Sequence, residues 1–176
     1  MKTLTIRQPW ASLIVAGIKD IENRTWKTSY RGPLLIHAAS FKIKNWDNIP
    51  ITENQKDILR SYGAGVIDYD ITSAIIGKVD LVDCVINHDS IWAEKCMPEH
   101  YKIYNWALAN PILFYEPIPV KGKLSLWDYP NILAEPEEEN GKLFCHCQIP
   151  VKEENQVSRF LGEEFRCNYC GGIWYK

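Results

Sequence analysis

The chain has 176 residues, 46% hydrophobic and 24% charged, which suits one globular domain with at most a small appendage and excludes a disordered chain, a collagen-like repeat and a coiled coil. The formal charge of −2 is uneven: residues 1–44 carry +6, with Asp20 and Glu22 as their acids, against −5 over 45–130 and −3 over 131–176. The longest apolar run near the N-terminus, residues 13–16, is too short for a bilayer span or a signal-peptide core, so a cytoplasmic protein without a membrane partner is expected.

Residues 4–7 alternate apolar and polar side chains and read as a strand. Pro9 stands where a first helical turn tolerates proline, Trp10, Leu13 and Ile14 then share a helical face, and Gly17 is placed for a left-handed stop. Period 2 follows over 21–26, with Glu22, Arg24 and Trp26 on one face and Ile21, Asn23 and Thr25 on the other. Arg31-Gly32-Pro33 reads as a turn and residues 34–39 as a mostly apolar strand carrying His37. Thr52 and Gln55 form a capping-box pattern for a helix towards Tyr62, with Gly63 as its stop, and the Gly63-Ala64-Gly65 run with Asp68 and Asp70 reads as a loop.

Residues 73–86 are the longest strand candidate, in which Gly77 marks a bend or bulge. Residues 87–102 are polar and irregular, with room for a short helix. Three further short strands, 106–108, 112–116 and 124–127, are expected between Pro111, Pro117, Pro119 and Gly122. Many short strands with one or two helices predict an α+β fold built on a small barrel rather than a βαβ sheet. The acidic Glu135-Pro136-Glu137-Glu138-Glu139-Asn140-Gly141 run is the best linker, so the predicted organisation is a domain over 1–130, a linker over 131–141 and a small tail over 142–176.

Within the basic quarter, Lys19 and Arg24 are cations, and the planar fork of Arg24 suits phosphate or carboxylate. Glu22 shares a strand face with Arg24 and can pair with it, or accept protons from a base edge such as the amino group of cytosine. Trp10, Trp26 and Tyr30 could offer flat surfaces to a stacked base. The structural alternative is an ion pair between Glu22 and Arg24, a solvated Lys19 and tryptophans that belong to the core. His37, on an apolar strand, reads as a core or pocket-wall histidine. No Ser-His-Asp spacing, zinc-protease helix or phosphate-cradling glycine loop is visible.

Several blocks together resemble the ASCH domain: Gln8-Pro9-Trp10-Ala11-Ser12-Leu13-Ile14, then residues 17–26, then Tyr30-Arg31-Gly32. The family's Gly-x-Lys-x-x-Glu-x-Arg hallmark is met by Gly17, Lys19, Glu22 and Arg24, and the blocks at 35–39, 76–84, 119–122 and 126–127 follow in order. The resemblance covers roughly residues 1–130. It implies a PUA-like β-barrel whose cleft, lined by the hallmark, binds RNA, another nucleic acid or a modified nucleotide, with Gln8, Trp10, Lys19, Glu22, Arg24, Trp26, Tyr30 and Arg31 as the candidate contacts. A subgroup hydrolyses N4-acylated cytidine nucleosides. Lys19, with Glu22, would be the catalytic pair if this chain were such an enzyme, but Glu22 stands where that subgroup is expected to carry a threonine. A weak nuclease is the third reading.

The tail needs no resemblance. Four of the six cysteines lie in its last 32 residues, as Cys145-His146-Cys147 and Cys167-Asn168-Tyr169-Cys170. Two close pairs separated by nineteen residues approach a zinc ribbon. Zinc takes four soft donors in a tetrahedron, and a tail this short needs a staple. A structural zinc on Cys145, Cys147, Cys167 and Cys170 is therefore expected. Because the first pair is one residue short of the usual spacing, His146 is the alternative donor. Such a tail could extend a nucleic-acid surface or meet a protein partner; reduced, uncoordinated thiols are the plain alternative.

Overall fold

A computed structural model describes residues 1–41, 49–62, 68–96 and 102–129, and five short strands in the tail. The four tail cysteines, His146, the Gly63-Ala64-Gly65 run and part of the irregular 87–102 stretch lie outside the described residues.

Six strands make one mixed sheet in the order β2-β5-β4-β3-β1-β6. They are β1 (Lys2–Ile6), β2 (Ile21–Arg24), β3 (Gly32–Ala38), β4 (Ala74–Val85), β5 (Tyr104–Pro119) and β6 (Leu126–Asp128). Only β1 and β3 pair in parallel; every other pair is antiparallel. The sheet curls into a half-barrel with few helices, the α+β architecture that the short strands predict. The tail contributes a two-stranded pairing of β7 (Glu137–Glu139) with β8 (Lys142–Phe144). It also forms a three-stranded sheet of β9 (Ser158–Phe160), β10 (Glu164–Arg166) and β11 (Ile173–Tyr175).

Helix α1 (Trp10–Val15) follows β1 and ends where Gly17 takes φ 76°, the left-handed stop that the sequence predicts. Its burial exceeds the single stripe expected, since Ala11 to Val15 are all buried. The close approach of β4 explains this: at Gly77 a Cβ would collide with Ile112 O and with Val15 Cγ1. The register between β3 and β4 slips at Ile36/His37, opposite Gly77, and that between β4 and β5 slips between Ile75 and Gly77, so the expected bulge is present. Helix α2 (Glu53–Ser61) carries the capping box, with Gln55 N donating to Thr52 Oγ1 and Thr52 N to Gln55 Oε1.

One expectation is overturned. Pro111 and Pro117 do not separate short strands but lie inside β5, a single strand of sixteen residues. Proline removes a ladder donor, which a sheet tolerates at a bulge. Asp80 pairs with Ala109 and Lys78 with Ile112, which leaves Asn110 and Pro111 in an irregularity where Asn110 takes φ 50°. Pro117 falls in the wider slip between Leu113 and Ile118. No helix forms in the described part of 87–102.

The core uses both faces of the sheet. Leu34 and Ile36 of β3 pack with Leu4, Ile14, Val79 and Trp106, while Leu35 packs with Ile75, Phe114 and Trp127 on the other face. A third cluster, Leu13, Ile18, Ile21 and Trp92, ties α1 and β2 to the segment after β4, and the candidate site stands on it. Among the described residues no helix is long and apolar enough to cross a membrane.

Candidate functional site

The local turn after α1 creates the charged part of the site. Ile18 N and Lys19 N both donate to Leu13 O, at 3.0 and 3.1 Å, so the chain doubles back and drives Lys19 inward, leaving it 5% exposed. Lys19 Nζ donates to Ile21 O and stands 3.2 Å from Glu22 Oε2. Arg24 Nε stands 3.0 Å from Glu22 Oε1, at an angle that makes the contact an ion pair rather than a hydrogen bond. One carboxylate, 8% exposed, thus holds two cations, as buried charge requires. Arg24 also reaches from the edge strand β2 to the end of β1, donating through Nη2 to Thr5 O at 3.0 Å.

Beside this triad is a cavity of about 190 Å³ lined by Trp10, Lys19, Glu22, Asn23, Pro50, Gln55, Trp92 and Glu94. The Trp10 and Trp92 rings meet edge to face, with centroids 6.3 Å apart and planes at 70°. Lys19 Nζ lies 5.8 Å from the centroid of Trp10, within cation–π range. A flat ligand here would lie on one indole and meet the edge of the other.

Residues 88–94, which carry Trp92 and Glu94, are pinned by two asparagines. Asn23 Nδ2 donates to Trp92 O, and Asn23 Oδ1 accepts from Glu94 N. The fully buried Asn105 donates through Nδ2 to Asn23 Oδ1 and to Glu94 O, and its Oδ1 accepts from His88 N. Gln55 Nε2 adds a bond to Ile91 O, so the capping residue of α2 also supports the cavity rim.

The residues singled out in the sequence divide into two groups. Trp10, Lys19 and Glu22 line the cavity, and Arg24 stands directly behind Glu22. Gln8, Trp26, Tyr30 and Arg31 are absorbed elsewhere. Both ends of the Gln8 amide are used internally, donating to Ser12 Oγ and Ile71 O and accepting from Ser12 N. Trp26 packs edge-on against Trp106 at 4.5 Å, in line with the core alternative. Tyr30 Oη donates to Pro33 O, and burial raises its pKa. Arg31 pairs with Asp83 at 2.9 Å; the Cys84 N–H and Arg31 together hold the Asp83 carboxyl below its usual range.

Asn23, Gln55, Trp92, Glu94 and Asn105 were not anticipated. A tryptophan in an otherwise polar, irregular stretch was the one signal available for Trp92. His37 is indeed a core histidine, 1% exposed, and burial lowers its pKa. Among the described residues no cluster of His, Cys, Asp or Glu could hold a metal ion.

The family model that matches this chain is that of the ASCH domain, over residues 4–118. Activating signal cointegrator 1 of Homo sapiens and that of Mus musculus are each 29% identical over 132 residues, covering 70% of this chain and 21% of theirs. The chain thus spans about a fifth of the length of the curated relatives it matches. Crystal structures of ASCH from Zymomonas mobilis and of a mutant of that protein match 67% of this chain and 72% and 74% of theirs. Their identities are 14% and 15%, with TM-scores of 0.42 and 0.41.

Proposed function

The chain belongs to the ASCH domain family, and from that premise we propose that residues 1–130 form a nucleic-acid-binding module that takes single-stranded RNA and holds one base in the Trp10/Trp92 cavity. The carrying observation is the cavity itself: two indoles edge to face, with a buried ammonium over one of them. At about 190 Å³ it is smaller than the roughly 300–1,000 Å³ of a pocket for a drug-sized ligand, which suits one heterocycle without its sugar and phosphate. Glu94 and Glu22 line that space beside Lys19, and a carboxylate there can accept from the amino group of a base edge.

Titration of a labelled RNA oligonucleotide by fluorescence anisotropy tests this. Trp10→Ala is expected to weaken binding about 5- to 150-fold, from the ~1–3 kcal/mol of one base–aromatic stack. Unchanged affinity in a variant that still melts as the parent does would overturn the assignment of the cavity. The same samples should leave N4-acylcytidine unhydrolysed and the RNA intact; product in either case would revive the hydrolase or nuclease reading. Against the hydrolase, Glu22 offers a carboxylate where that subgroup is expected to carry a threonine hydroxyl, and both of its oxygens are held by Lys19 and Arg24.

For the tail we propose a structural zinc on Cys145, Cys147, Cys167 and Cys170, with His146 as the alternative donor. Two features support it. Strands β10 and β11 pair antiparallel, Arg166 with Ile173, and Cys167 and Cys170 fall between these two strands in the sequence, the order that a zinc knuckle needs. Strand β8 ends directly before Cys145. Elemental analysis of chelator-free protein should find about one zinc per chain, and its removal should free four thiols to a colorimetric reagent. Metal-free protein with those thiols already reactive would refute the site. A thiolate site of this kind fits a reducing compartment such as the cytoplasm.

A further inference from the structure

The cavity is a poor place for phosphate. Lys19 and Arg24 share the single carboxylate of Glu22, and Glu94 adds a second carboxylate to the lining, so the two cations already face two anions. The backbone of a bound strand must therefore find positive charge elsewhere.

We propose that the strand's phosphates rest on a platform formed by the loop joining β5 to β6, residues 120–125, and the end of β1, with Arg7, Lys121 and Lys123 as the contacting cations. This rests on the nucleic-acid reading above and adds where the backbone runs. All three side chains are exposed, and among the described residues none of them pairs with an acid. Asp128, whose carboxyl Lys2 and Lys123 hold below its usual range, is bonded to Lys2 at 2.9 Å. Lys123 Nζ instead lies 5.5 Å from the ring of Trp127.

The loop carrying these lysines is held from beneath. His37 Nε2 donates to Val120 O at 2.9 Å, a carbonyl acceptor that fixes which ring nitrogen bears the proton. Val120 N donates to Ser73 O at 3.0 Å. Thr5 Oγ1 donates to Lys123 O at 2.9 Å and accepts from Trp127 Nε1 at 3.2 Å. At Gly122 a Cβ would stand 2.8 Å from His37 Nδ1 and 3.1 Å from Thr5 Oγ1, so the loop can lie this low only with glycine there. Fixed cations lose less entropy on binding than free ones.

Thr5 also links the platform to the cavity. Its carbonyl accepts from Arg24, which pairs with Glu22 on the cavity wall. Arg7 stands directly after β1, two residues beyond Thr5. Leu124, 94% exposed, offers an apolar contact to a sugar or base beside the lysines. A strand lying across Lys121 and Lys123 can therefore turn a base past Arg24 into the cavity.

Salt dependence reads phosphate contacts directly. For single strands each contact contributes about 0.7 to the slope of log affinity against log salt. With the full chain and a labelled oligouridylate, the Arg7→Ala/Lys121→Ala/Lys123→Ala variant should flatten the slope by about 2 with its melting temperature unchanged. Lys121→Ala alone should flatten it by about 0.7, which keeps the test open if the triple variant folds poorly. Trp10→Ala should lose affinity with the slope intact. Gly122→Ala, which keeps every charge but displaces the loop, should fall between parent and triple variant in affinity. If the parent binds RNA and the triple variant keeps the parent slope, the platform is wrong while the base cavity stands; the basic loop would then face an acidic protein or solvent. If the parent binds no RNA at any salt, the nucleic-acid reading fails and the platform with it.

Discussion

Glu22→Ala is expected to cost about 3–5 kcal/mol of folding stability, the usual result of breaking a buried ion pair from one side. Lys19 is 5% exposed and would keep only the Ile21 carbonyl and the face of Trp10 as partners. Arg24, with a quarter of its side chain exposed, can turn towards water, so most of the loss falls on Lys19. For a folding unit of this size the melting temperature should drop by roughly 10 °C or more. The double variant Lys19→Met/Glu22→Met should recover much of that loss, because replacing both partners by apolar groups of similar volume is often neutral. Thermal melts of both variants decide the matter. A Glu22→Ala protein within 1 kcal/mol of the parent would mean that Lys19 reaches water through the cavity.

Asn105→Ala should cost about 1–3 kcal/mol, since the Glu94 carbonyl and the His88 N–H lose their partner in half-buried bonds, at roughly 0.5–1.5 kcal/mol for each. The same change loosens the segment that carries Trp92 and Glu94, so RNA affinity should fall together with stability. Asn105→Asp separates the contributions, because it keeps the acceptor for His88 N and loses both donors, to Asn23 Oδ1 and Glu94 O. Denaturant melts with parallel anisotropy titrations measure both effects. Unaltered stability would show that Trp92, packed with Leu13, Ile18 and Ile21, holds the segment without the asparagines.

These two variants also mark the border between what sequence alone reveals and what it hides. The Glu22–Arg24 pair was legible because the two stand two residues apart on one strand face, whereas Lys19, solvated in the structural alternative, proves buried against the same carboxylate. A tight turn into a strand brings such neighbours together whatever lies further off. The capping box at Thr52 and Gln55, the left-handed Gly17 and the bulge at Gly77 were legible for the same reason, being set by backbone preferences within a few residues. Asn105 was not. It meets Asn23 across 82 residues, and Asn23 meets Trp92 across 69, contacts that exist only once β2 pairs with β5.

The remaining differences have the same origin. Pro111 and Pro117 suggested breaks, yet the slips against β4 gave each proline a bulge, and a partner strand cannot be read from the chain that needs it. Trp10, Trp26 and Tyr30 were equivalent as aromatic candidates. Trp106, eighty residues downstream, drew Trp26 into the core, while Trp92 left Trp10 at a cavity. By itself, then, the sequence determined the stop of α1, the capping box of α2, the bulge, the charged motif and the family blocks, because short-range geometry and residue type suffice for them. Which aromatic and polar side chains share one space was decided by strand pairing between distant segments, because the face that a side chain presents has meaning only against the neighbour that covers it.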